Sequence, residues 1–109
     1  MGRYRGHRGR RDANHAEIRD GLRALGLRVA DTADLADFVD LVVAHAKRNY
    51  LLEVKPPEWT KPRSQRERDQ QEWREAWAAA GGQVDVVRSL DDALRVLGFR
   101  PAGADTPGE

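Results

Sequence analysis

Apolar positions recur along this chain at two spacings, one close to the 3.6-residue turn of a helix and one in short runs of strand length, and their alternation predicts its elements. Ile18, Leu22 and Leu25 give a first helix one apolar face. Asn14 opens that helix with Glu17 three residues on, a capping-box arrangement, and Gly26 ends it. A short strand is predicted over 27–30, followed by a polar stretch over 31–37 and an apolar, β-branched run over 38–44. A second run covers 50–54. The polar residues 45–49 between these runs are few enough to close an antiparallel hairpin, although they lack the Asn-Gly pair of the tightest turns. Pro56 and Pro57 stop the second strand, and the loop to residue 64 is basic. Residues 65–80 read as a polar helix with Trp73 and Trp77 four apart, ending at Gly81 and Gly82. Val84, Val86 and Val87 make a last strand. Ser89 with Asp92 then caps a last helix whose Leu90, Ala93, Leu94 and Leu97 face inward, and Gly98 closes it.

Helix, strand, two-stranded hairpin, helix, strand, helix describes an α/β (α+β) fold, a mixed sheet with helices packed against it. The 109 residues have room for one domain, placed at 12–99 between a flexible basic arm at 1–11 and a mobile tail at 100–109. Apolar residues are 39% and charged residues 34%, which suits a compact fold and argues against a wholly disordered chain. The absence of cysteine excludes a disulfide framework and a thiolate zinc site, so any metal is held by oxygen or imidazole. No apolar run approaches the roughly 20 residues that span a bilayer, and the Arg-rich start lacks the apolar segment of a signal peptide. No membrane partner is expected, and the expected location is cytoplasmic, in a bacterial cell or a phage-infected host.

The formal charge of +1 is too balanced to announce a partner, but its distribution is uneven. Arg3, Arg5, Arg8, Arg10 and Arg11 fall in the arm with no acid among them, a pattern that suits a phosphate backbone and equally suits a solvated tail. His7, His15 and His45 share no metal-ligand spacing and read as surface or arm residues. Trp73 and Trp77 read first as a core pair and otherwise as a stacking platform for bases. Trp59, in the basic loop with Lys61 and Arg63, is the better candidate for touching a ligand.

In Leu51-Leu52-Glu53-Val54-Lys55 a carboxylate and an ammonium stand two residues apart, so both project from one face of a strand. A hairpin centred between Ala46 and Lys47 puts Asp40 opposite Glu53. Two carboxylates side by side repel unless a cation lies between them, and oxygen ligation with open positions suits magnesium or manganese. The lysine cannot ligate a metal, but it can orient a water and stabilise charge on a scissile phosphate. The plainer alternative, an exposed edge ladder in which Lys55 pairs both acids for about 0 to 1 kcal/mol, stays open on spacing alone.

The segments Asp12-Ala13-Asn14-His15-Ala16-Glu17-Ile18, Val39-Asp40-Leu41-Val42-Val43 and Leu51-Leu52-Glu53-Val54-Lys55 resemble the motifs of small phage and bacterial VRR-NUC-type nucleases. These are relatives of the Holliday junction resolvases in the PD-(D/E)xK superfamily. Gln70-Gln71-Glu72-Trp73, Trp77, Val86-Val87-Arg88-Ser89 and Asp92-Ala93-Leu94 continue the resemblance, which spans residues 12–98. It implies a restriction-endonuclease-like core with a mixed sheet of about four strands. It also implies one or two Mg²⁺ or Mn²⁺ ions held by Glu17 as accessory ligand and by Asp40 and Glu53 as central ligands. Lys55 is then the water-activating or charge-stabilising residue, and Gln70 helps to organise the site. Relatives carry Gly-x-Pro-Asp where this chain has Asp37-Phe38-Val39-Asp40, which changes the approach of the strand to Asp40.

The expected function is divalent-metal-dependent hydrolysis of DNA, as an endonuclease on branched or structured forms. Arg8, Arg10, Arg11, Asn14, Trp59, Lys61 and Arg63 are the candidate nucleic-acid contacts. Cutting both strands of a junction calls for a symmetric homodimer. Two rivals stand beside it: a non-catalytic nucleic-acid-binding module with a degenerate nuclease fold, and a structural protein of a phage or mobile element whose charged strands face solvent.

Overall fold

The computed structural model of the chain describes residues 9–35 and 37–99, with side chains from residue 13 onward. The predicted tail and residues 1–8 of the predicted arm, Arg8 included, lie outside the described residues. Seven elements follow one another in the predicted order: α1 (Gly9–Ala24), β1 (Arg28–Asp31), β2 (Leu41–His45), β3 (Arg48–Val54), α2 (Gln65–Ala79), β4 (Asp85–Val87) and α3 (Leu90–Leu97). The fold is α+β. Its four-stranded sheet runs β1-β2-β3-β4, antiparallel across the first three strands and parallel between β3 and β4.

Strand periodicity divides the sheet into two unlike faces. Leu41, Val43, Leu52, Val54 and Val87 point with Val29 to the side covered by α1 and α3, where they meet Ile18, Leu22, Ala93 and Leu97 in the buried core. Helix α1 comes close to α3 because Gly21 has no side chain: a Cβ there would meet Leu90 Cδ2 at 2.7 Å. The last helix follows its predicted capping. Ser89 Oγ accepts from Asp92 N at 3.0 Å, and Asp92 Oδ2 accepts from Arg88 N at 2.9 Å. Gly98 ends the helix in the left-handed conformation, at φ 96°.

Four expectations need correcting. Helix α1 starts at Gly9, so the last residues of the predicted arm are helical and Asn14 lies in the helix interior. Its amide donates to main-chain carbonyls on the sheet instead of closing a capping box with Glu17. Leu25 lies beyond the end of α1 and is 56% exposed, outside the core. Strand β1 is shifted one residue on from the predicted 27–30. Strand β2 begins at Leu41 rather than at residue 38, because Asp37 sits at φ 58° and turns the chain before it extends.

At the rim of the same sheet face that α1 and α3 cover, Asp31 ties β1 to α1 by accepting from Arg19 Nη1 at 2.9 Å and pairing with His15 Nε2 at 3.0 Å. Burial pushes the Asp31 carboxyl up, but its hydrogen bonds with Arg19, His15 and Ala33 N outweigh that and hold it below the usual carboxylate range.

The β2–β3 hairpin pairs Leu41 with Leu52 through to His45 with Arg48, the predicted centring. Only Ala46 and Lys47 make the turn, at φ 53° and 66°. Two successive left-handed residues are the mark of a type I′ turn, and neither residue tolerates that conformation as Asn and Gly do. Replacing the pair with Asn-Gly is therefore expected to stabilise the protein by about 1–2 kcal/mol, read as a rise in melting temperature of roughly 4–15 °C. An unchanged or lower melting temperature would refute the strain assigned to this turn.

Candidate functional site

Leu51, Glu53 and Lys55 alternate with Leu52 and Val54, so they occupy the face of the sheet turned away from α1 and α3. β3 is an inner strand, and its end is closed on both faces: Glu53 is 3% exposed and Lys55 2%. The exposed-ladder alternative fails on those figures. Two buried charges on one strand are costly unless paired, and here Lys55 Nζ stands 3.7 Å from Glu53 Oε2. Helix α2 supplies the rest of the lysine's setting. Gln70 Oε1 accepts from Lys55 Nζ at 2.8 Å, so the glutamine proposed to organise the site touches the lysine directly.

Asp40 arrives by a different route from the one its number suggests. Asp40 N donates to Leu52 O at 3.1 Å, although Leu52 has Leu41 as its register partner, so two residues of one strand stand against one of the other. That is a β-bulge, a local twist that re-aims a side chain. Asp40 Oδ2 then accepts from Val54 N at 2.8 Å, filling the place a strand carbonyl would take. The carbonyl of Val39 is used elsewhere, accepting from Thr32 Oγ1 at 2.7 Å. The simple face-to-face pairing of Asp40 with Glu53 is thus replaced by a bulge that anchors Asp40 to the backbone between Glu53 and Lys55.

The carboxylates of Asp40 and Glu53 are the groups here able to take a hard cation, and a carboxylate that accepts one N–H keeps further lone pairs. Among the described residues no group of three or more His, Asp or Glu side chains is close enough to hold a metal ion. Glu17 is exposed on α1, and the three-carboxylate set of Glu17, Asp40 and Glu53 is not assembled. The donor chemistry still fits magnesium, which takes one or two carboxylates and fills its other positions with water and substrate oxygen.

The candidate nucleic-acid residues divide. Arg10 and Arg11 lie on α1, while Lys61 and Arg63 are exposed in the loop after β3. Trp59 lies beside the site, its ring centroid 5.5 Å from Lys55 Nζ. Asn14 does not belong with them. At 9% exposure, its amide donates to Lys55 O at 2.8 Å and to Arg88 O at 3.2 Å, which clamps α1 to the ends of β3 and β4. Its sequence signal was present: Asn14, Ile18 and Leu22 fall four residues apart on the face that enters the core. Arg88 was missed as a site residue; its guanidinium carbon lies 5.8 Å from the Trp59 ring.

Trp73 and Trp77 are not core residues. They stack at 4.9 Å, with Phe38 edge-on to Trp73 at 6.0 Å, and Trp77 is 39% exposed. His15 pairs with Asp31, and His45 lies against Phe99 at 4.8 Å. No helix among the described residues is long and apolar enough to cross a membrane.

Compared with known proteins, the chain matches no family model, no curated protein and no solved structure.

The clamp has a measurable consequence. Asn14→Ala leaves two inner carbonyls without their donor and is expected to cost about 1–3 kcal/mol, measured by chemical unfolding. Asn14→Asp, which sets acceptors against acceptors, should cost at least as much. Unchanged stability with weakened nucleic-acid binding would return Asn14 to the interface.

Proposed function

We propose that this chain is a divalent-metal-dependent nuclease that hydrolyses DNA phosphodiester bonds. The observation that carries the proposal is the burial of Glu53 and Lys55 on one strand face beside Asp40, with Lys55 held by Gln70. A core-building strand has no use for such a pair; apolar residues of similar volume there are often neutral or stabilising by 1–4 kcal/mol. The mixed four-stranded sheet flanked by helices supports the restriction-endonuclease-like core that the motif resemblance implies. DNA as substrate, the branched or structured form, the homodimer and the phage or bacterial setting rest on that resemblance.

In this proposal Asp40 and Glu53 hold Mg²⁺ or Mn²⁺, which when bound supplies the charge that polarises the phosphate and acidifies a water. Asp40 binds through the oxygen lone pairs that Val54 N leaves open, and the bulge fixes its position relative to Glu53. Lys55, 3.7 Å from Glu53 Oε2, offers its Nζ to the negative charge that develops on the phosphate. Gln70 holds that ammonium in place from α2, so the lysine does not search for its position during the reaction. Closure of both faces around the strand end keeps bulk water away from these charges.

One observation favours the rival, a nucleic-acid-binding module without catalysis: Asp40 already serves the backbone, and among the described residues no third carboxylate joins it and Glu53. Cleavage separates the two. Labelled linear, flapped and four-way DNA incubated with Mg²⁺ or Mn²⁺ should be cut by the protein. Glu53→Gln and Lys55→Ala should each slow cutting by at least about a hundredfold, with folding checked by circular dichroism. Binding without cutting on every substrate, or cutting that survives both substitutions, would overturn the nuclease proposal.

A further inference from the structure

The loop that follows β3 brings together three donors that the proposed chemistry does not use as a group. Pro56 and Pro57 stop the strand, and Trp59 N donates back to Pro56 O at 3.0 Å, folding the indole over the strand end. Lys55 Nζ and Arg88 Cζ lie 5.5 Å and 5.8 Å from its ring centroid. The two cations are neighbours for a topological reason: Val54 and Val87 are paired in the parallel ladder, and Lys55 and Arg88 come next on each strand. Asn14 then ties the Lys55 and Arg88 carbonyls to one side-chain amide, which fixes the two strand ends against each other.

Within this arrangement the indole Nε1 of Trp59 is buried and has no acceptor among the described residues. Leaving a buried donor unsatisfied costs about 1–3 kcal/mol, so an unpaired indole N–H needs a reason. Neither cation can satisfy it, because ammonium and guanidinium groups only donate. The acceptor that suits a donor on a ring flanked by two cations is an anionic oxygen, and a phosphate offers several at once. Arg88 is exposed, so of the two cations it is the one open to solvent, Lys55 being 2% exposed.

We propose that Trp59 Nε1 and the Arg88 guanidinium form a phosphate subsite, which takes the backbone phosphate next to the one held at Asp40, Glu53 and Lys55. The placement next to a scissile phosphate rests on the nuclease proposal; the subsite itself rests on the orphaned donor and the paired cations. Trp59 then acts through its N–H on the backbone rather than by stacking on a base, so binding at this point is independent of sequence.

The test follows the indole N–H resonances of the ¹⁵N-labelled full chain in metal-free buffer, with the Trp59 signal identified by its loss in Trp59→Phe. The probes are inorganic phosphate, a single-stranded oligonucleotide, and the same oligonucleotide with an uncharged methylphosphonate backbone. The Trp59 signal should move with the first two and stay still with the third. Arg88→Gln, with an unchanged amide spectrum elsewhere, should weaken oligonucleotide binding by about tenfold and reduce the log–log salt slope by about 0.7. A signal that moves with none of the probes, or equally with the uncharged one, overturns the proposal, as does an Arg88→Gln protein that binds as tightly as the parent. Movement with inorganic phosphate but not with the oligonucleotide overturns the strand assignment. A chain that cuts DNA while the Trp59 signal stays fixed keeps its nuclease function and loses this subsite. One that never cuts but shows the expected movement keeps the subsite and loses the nuclease function.

Discussion

Glu53 and Lys55 are opposite charges on one strand face, closed from water at 3% and 2% exposure, and the fold around them is arranged to hold them there. Removing one member of such a pair leaves an uncompensated charge at a cost of about 3–5 kcal/mol, so the surroundings cannot drift without penalty. Gln70 reaches from α2 to the ammonium, Asp40 occupies the Val54 N–H between the two charges, and Asn14 fixes the Lys55 carbonyl from the opposite layer. Helix α1, the approach to β2 and helix α2 are thereby all referred to one strand end. Helix α2 shows this most clearly: it has no buried residue, and Gln70 and Trp73 provide its contacts with Lys55 and Phe38.

The layers divide the labour. The α1 and α3 side is an ordinary apolar core in which Ile18, Leu22, Leu41, Val43, Leu52 and Val87 are fully buried. Because that side carries the stability, the other side can accommodate charge, a bulge and an orphaned donor. Natural folds place costly features where they serve a site, and here the buried ion pair, the bulge at Asp40 and the unpaired Trp59 N–H all fall at the carboxyl ends of β3 and β4 or at the strand beside them.

Much of this was legible in the sequence because period and punctuation act locally. Element order, the hairpin register and the Ser89–Asp92 cap follow from apolar spacing, the short polar turn and side-chain capping chemistry. The proximity of Lys55 and Glu53 followed from strand alternation, and that of Gln70 from the motif resemblance. What escaped depends on contacts distant in sequence. Asn14 carries the composition of a cap, yet its partners are carbonyls 41 and 74 residues away, and it lies inside a helix that starts at Gly9. The bulge at Asp40 stems from the left-handed Asp37 and from Thr32 taking the Val39 carbonyl. Arg88 comes beside Trp59 only through the parallel pairing of β3 with β4.

The proposed function depends above all on Asp40 and Glu53 sharing a divalent cation. The most direct measurement is thermal unfolding of the wild-type chain, Asp40→Asn and Glu53→Gln across a MnCl₂ series, without nucleic acid. An ion bound only to the folded state stabilises it by about 2.7 kcal/mol at a hundred times its dissociation constant. The wild-type melting temperature is therefore predicted to climb with the logarithm of the ion concentration, while Asp40→Asn, which keeps an acceptor for Val54 N, and Glu53→Gln stay flat. A flat wild-type curve, or variants that climb as steeply, would contradict the account.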